Sequence, residues 1–193
     1  MQQKVIELLV FRIKRIAMIE KLFFDSVIKR FKEYKRLGEK TFDQLNDEEM
    51  HFQPNKESNS IAIIIQHLNG NMVSRWTNFL SEDGEKEWRN RDDEFEVHQL
   101  SKQQLMDKWN EGWKVVLETL ESLTEKDLTK NITIRSQPLN VIDAINRQLA
   151  HYSYHVGQIA YLGRWVRQAD WKSLTIPKNK SNEYNQQMQH SRR

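Results

Sequence analysis

Four separate stretches of this chain carry apolar residues at steps of three and four, and that spacing limits the fold more than any other feature. Leu22, Phe23, Val27, Phe31, Tyr34, Leu37, Phe42 and Leu45 form one stripe, and Ile61, Ile64, Ile65, Leu68, Met72, Trp76 and Phe79 form a second. Leu105, Trp109, Trp113, Val116, Leu117 and Leu120 make a third, and Ile142, Ile145, Leu149, Tyr152, Val156, Ile159, Leu162 and Val166 a fourth. A helix repeats every 3.6 residues, so each stretch reads as a helix with one apolar face. The expected helices run from Ile19 to about Leu45, Ile61 to Leu80, Ser101 to Leu123 and Val141 to Gln168. Faces of this kind bury one another in a bundle. The expected class is all-α: a four-helix bundle with long connectors and an extra helical extension at the N-terminus.

Local signals agree with these limits. Ser101 with Gln104 three residues on has capping-box spacing, and Asn140 stands before the fourth helix. Gly112 weakens the third helix unless a neighbour packs closely against it. Asp47 to Asn59 reads as a connector, and Asn131 to Arg135 alternates like a short strand before Pro138. Ser81 to Phe95 is highly charged yet holds Trp88 and Phe95, which reads as a surface loop pinned by two aromatics or as a lid over a site. The expected division is residues 1–17 as an extension, 18–176 as the bundle and 177–193 as a polar tail. Residues 1–17 read either as a basic amphipathic helix for a partner or lipid surface, or as a peripheral extension, with Met18 an alternative start.

The 193 residues contain no cysteine, which excludes disulfides, thiolate ligands and a cysteine nucleophile. Lys and Arg total 30 against 27 Asp and Glu, interleaved along the chain, so no basic stripe marks a nucleic-acid partner. Glu7, Arg12 and Lys14 interrupt the N-terminal apolar run, so neither a membrane span nor a signal peptide is expected, and the expected location is cytoplasmic.

His151 and His155 stand one helical turn apart in the fourth helix, close enough for both rings to converge on one ion. Two readings stand on spacing alone: a metal site, or ordinary bundle histidines hydrogen-bonded to Gln or Tyr. Tyr152 occupies the place where a metalloprotease HExxH motif has its glutamate. His51, His98 and His190 fall in connectors or the tail and read as solvated. His67 lies on the flank of the second stripe.

Gln66-His67-Leu68-Asn69-Gly70-Asn71-Met72, together with His151-x-x-x-His155-x-x-Gln158, resembles the DinB-like (YfiT-like) superfamily of bacterial four-helix metalloproteins, and Asp83 to Asp92 resembles an uncharacterised branch of it. The resemblance implies that His67, His151 and His155 hold a divalent transition metal such as Zn, Ni or Fe. Three imidazoles leave a coordination position open, as catalytic sites do. Asn71, Gln148 and Gln158, one turn from a ligand, are expected to orient imidazoles or bind substrate.

The resemblance further implies a small-molecule substrate and a possible low-molecular-weight thiol co-substrate, such as bacillithiol. A metal-dependent thiol S-transferase is the expected activity, with a hydrolase or a non-catalytic binding or dimerisation module as alternatives. No carboxylate near the helical histidines offers a water-activating base, unless the Glu82 to Glu94 loop supplies one. The six tryptophans read as core first, and as a homodimer interface second.

Overall fold

The computed structural model describes residues 2–190, the side chains at 8, 9, 13, 14 and 17 excepted; Met1 and residues 191–193, the outer ends of the expected extension and tail, lie outside the described residues. Helix α1 spans Gln2–Phe42, α2 Asp47–Met50, α3 Ile61–Trp76, α4 Lys102–Ser122, α5 Val141–Arg167 and α6 Ser181–His190, with a hairpin of β1 Asn131–Ile134 and β2 Gln137–Asn140 before α5. The four long helices close a ring in which α3 packs on α4 and α5, and α1 packs on α5 and α4. The protein is an all-α helical bundle with one small two-stranded ribbon. No described helix is long and apolar enough to cross a membrane.

Each long helix puts one aromatic ring into the centre of the bundle. Phe31 of α1 meets Trp76 of α3, Trp113 of α4 and Tyr152 of α5 edge-on at centroid distances of 6.0, 6.2 and 5.9 Å. All four rings are buried. The Tyr152 hydroxyl accepts from Trp76 Nε1 at 2.9 Å and donates to Asn71 Oδ1 at 3.2 Å, so the hub is also pinned by hydrogen bonds. A Cβ on Gly112 would stand 2.9 Å from Met72 Sδ, so α3 and α4 approach closely there, as a helix-interior glycine demands.

The structure corrects several boundaries. Helix α1 runs unbroken from Gln2, far ahead of Ile19, and Leu22 is exposed on it rather than buried. Its N-terminal part leaves Val5, Ile6, Val10, Phe11, Ile16, Met18 and Ile19 exposed. Helix α3 stops at Trp76, not Leu80, because Asn78 turns the chain into the left-handed region (φ 51°) and its carbonyl takes the N–H groups of Ser81 and Glu82. The 47–59 connector contains the capped turn α2, with Asn46 and Glu49 forming a reciprocal capping box and Met50 buried. Ile142 is exposed, since the first turn of α5 presents it outward. Trp76, Trp109 and Trp113 are core as expected, but Trp88 and Trp165 are exposed.

The strand-like segment is one arm of a hairpin, and Pro138 sits inside the other arm opposite Thr133, where an edge strand tolerates its missing N–H. The two-residue turn, Arg135 and Ser136, has φ 56° and 61°. Hairpin turns of this hand favour Asn-Gly, and here the strain is offset by Asp83. Its Oδ1 accepts from the N–H of Arg135 at 2.8 Å and of Glu85 at 2.7 Å, and its Oδ2 from that of Ser136 at 2.7 Å. Partial burial raises the carboxyl pKa, but these backbone donors outweigh it and hold the group down at about 2. Asp83→Ala is expected to cost about 1–2 kcal/mol in urea unfolding at neutral pH. An unchanged midpoint would show that the turn stands without it.

Candidate metal centre

The Ser60 hydroxyl caps α3 by accepting from Ile63 N–H at 3.2 Å, and the Asn140 side chain caps α5 by accepting from Asp143 N–H at 2.9 Å. The caps fix where each helix begins, and helical phase then turns His67 of α3 toward His151 and His155 of α5. His67 and His155 are buried and His151 is half-buried. The Nε2 atom of His151 lies 3.4 Å from His67 Nε2 and 3.1 Å from His155 Nε2. Metal–nitrogen bonds of about 2.0–2.1 Å in a tetrahedral site place ligand nitrogens roughly 3.3–3.4 Å apart, so the cluster has the right span for one ion.

The outer nitrogens decide what the inner ones can do. His67 Nδ1 lies 2.9 Å from Glu94 Oε2, and His155 Nδ1 lies 2.8 Å from Gln158 Oε1. A carboxylate and an amide oxygen only accept, so both rings carry a hydrogen on Nδ1, and in the neutral form each presents a bare Nε2 lone pair inward. His151 Nε2–H can satisfy only one of them. Two buried acceptors face one donor, and a divalent cation is what would complete the set. Burial, reinforced by the neighbouring imidazoles, lowers His151 to about 3; burial likewise lowers His155 to about 4, against a partly opposing hydrogen bond to Gln158. Both rings are therefore neutral and able to ligate at ordinary pH.

The sign of the resulting pH dependence is fixed. Between about 4 and the ordinary histidine value of 6.5, the unfolded chain binds protons that these folded rings refuse, so stability falls as pH falls through that window. Urea midpoints of the metal-free protein are expected to drop between pH 6.5 and 5. Midpoints independent of pH there would contradict the buried, neutral pair.

Glu94 is the residue that sequence reasoning missed. It arrives on the 77–100 loop, which Phe95 pins over the histidines: a short 3-10 turn at Asp93–Phe95 buries Glu94 and sets the Phe95 ring 4.8 Å from that of His67. Trp88, expected to help pin the loop, is exposed. The Glu94 carboxylate is gripped by Arg89, whose Nε donates to Oε1 at 2.7 Å and Nη2 to Oε2 at 2.9 Å. Burial favours its protonation, but the His67 and Arg89 hydrogen bonds outweigh this and lower its pKa. Gly70 makes the room, because a Cβ there would fall on the Glu94 carboxylate. From Arg89 the chain of charges continues to Glu85, which also accepts from Arg75 at 2.7 Å and Arg135 at 3.1 Å and so ties the loop to the hairpin. Glu94→Gln, which keeps the shape and removes the charge, is expected to weaken metal affinity about 10–100-fold in competition with a chromogenic chelator. Unchanged affinity would remove Glu94 from the site.

Of the three residues expected around the ligands, Gln158 alone touches one. Asn71 points instead to the Tyr152 hydroxyl in the aromatic hub. Gln148 is buried, and its Oε1 has no hydrogen-bond partner among the described residues. His51 is not solvated as expected: it is half-buried, with Nε2 2.7 Å from the Leu100 carbonyl oxygen. His98, whose side chain is 41% exposed, and His190 remain toward solvent.

The sequence profile of a family described as "Protein of unknown function (DUF1572)" matches residues 18–180. The chain belongs to this family. The DUF1572 match takes in all three histidines, Glu94, Arg89 and Gln158, and begins after the N-terminal extension. No curated protein matches the chain.

Proposed function

We propose that this DUF1572 chain is a divalent-metal-dependent enzyme of the DinB-like (YfiT-like) superfamily that transfers a low-molecular-weight thiol, of the bacillithiol kind, to a small electrophile. The observation that carries the reading is the commitment of two Nδ1 hydrogens to Glu94 and Gln158, which leaves bare Nε2 atoms gathered around His151. A divalent transition metal held by these three imidazoles would keep an open position and act as a Lewis acid, lowering the pKa of a bound thiol or water.

The chain's own residues supply the rest. Glu94 and Gln158 orient two rings, and Phe95 covers the His67 side. The preference for a thiol over water comes from Glu94. Both of its oxygens are spent on Arg89 and His67, so it is not free to take a proton from an attacking water. The lack of cysteine fits a thiol brought in from outside. In the reaction the external thiol releases its proton to solvent and its sulfur bonds the electrophilic carbon. The leaving group departs with the pair of the broken bond.

Untagged protein loaded in turn with Zn, Ni and Fe, and supplied with bacillithiol and monochlorobimane, tests this directly. The expected result is a fluorescent conjugate formed only with metal and lost in His151→Ala. A rate equal to that of protein-free controls would overturn the transferase reading and favour a hydrolase or a metal-stabilised binding module at the same histidines.

A further inference from the structure

Beside the metal centre a cleft of about 450 Å³ opens between the 54–59 connector and the outer face of α5. Clefts of this volume suit small organic ligands. Its α5 wall carries Tyr154, Tyr161 and Trp165, spaced by seven and four residues on one helical face, and they are 62%, 64% and 49% exposed. Large aromatics left uncovered in a row on a helix whose opposite face is core are candidates to stack on a flat partner. The floor is Ile64 and Leu162, both buried. Among the described residues the polar lining is almost entirely uncharged, with Glu57 its one carboxylate and no lysine or arginine in the wall. An anion would find no counter-charge there.

Gln158 belongs to both places. Its Oε1 holds His155 Nδ1 and the residue lines the cleft, while its amide NH₂ has no acceptor among the described residues. A half-buried donor of this kind is suited to a carbonyl oxygen. None of the three histidines lines the cleft, so Gln158 is the hydrogen-bonded link between the two.

We propose that the cleft binds the organic partner of the reaction as a flat, uncharged molecule, its aromatic or conjugated face against Tyr154, Tyr161 and Trp165 and its carbonyl oxygen accepting from the Gln158 amide. This deepens the enzymatic reading and rests on it only for the link to the metal. Benzamide is the probe, benzoate its anionic counterpart of nearly the same shape, and saturation-transfer NMR on the full-length metal-free protein the measurement. Benzamide binds saturably, benzoate about tenfold or more weaker. Tyr161→Ala and Gln158→Leu each weaken benzamide about tenfold, with thermal midpoints checked against wild type. Tyr161 is exposed, so its removal leaves the core intact and keeps the test decisive. Absence of benzamide binding, equal binding of benzoate, or unchanged binding in Tyr161→Ala overturns the site. In Co(II)-loaded protein benzamide shifts the visible cobalt band, and the shift is lost in Gln158→Leu; an unmoved band overturns the link to the metal centre. Failure of the metal reading would appear as protein that takes up no cobalt while the NMR result still stands.

Discussion

Replacing Arg89 by Met is expected to destabilise the protein by about 3–5 kcal/mol in urea unfolding, because it leaves a buried carboxylate without its principal counter-charge. The Arg89 side chain is 2% exposed and that of Glu94 9%, so neither can recover its lost hydrogen bonds from water. Removing both charges together, in Arg89→Met/Glu94→Leu, should recover much of the loss, since the penalty belongs to the orphaned charge rather than to the contact. A single variant within about 0.5 kcal/mol of wild type would mean that the loop is not held by this pair. The same variant should also loosen the orientation of His67, because Glu94 reaches that ring only while Arg89 keeps it in place.

The second large effect lies at the other end of the argument, in the core. Phe31→Ala should cost about 3–5 kcal/mol, the range for deleting a fully buried phenyl ring. Phe31 is 0% exposed and touches an aromatic ring from each of the other three long helices, so no single neighbour can move in to fill the space. A loss below about 1 kcal/mol would mean that the hub is not what joins the helices.

Much of this was legible in the sequence, and the parts that were not share a cause. Ser101 with Gln104 and Asn140 before Val141 located two helix starts, because a cap is a local interaction between residues three apart. The triad was legible because His151 and His155 share one helix face, and resemblance then added His67. Glu94 was not, since it lies 27 residues from His67 and reaches it only through the path of the 77–100 loop. The signs of it were acidic and basic residues crowded beside Phe95, in a loop that reads equally as a pinned surface loop or as a lid, and neither singles out Glu94. Asn71 and Gln148 show the limit of face arguments. Both lie within a turn of a ligand, yet Asn71 is claimed by the Tyr152 hydroxyl and Gln148 meets no described partner. The end of α3 was missed for a backbone reason, the left-handed turn at Asn78, which no apolar spacing signals.

The central claim is that His67, His151 and His155 form a metal site, and elemental analysis of untagged protein tests it most directly. Protein purified without chelators and dialysed should carry about one equivalent of a divalent transition metal per chain, and His151→Ala, folded by circular dichroism, should carry almost none. Wild-type protein that binds no transition metal even after loading with Zn, Ni or Fe, or a His151→Ala variant that retains a full equivalent, would contradict it.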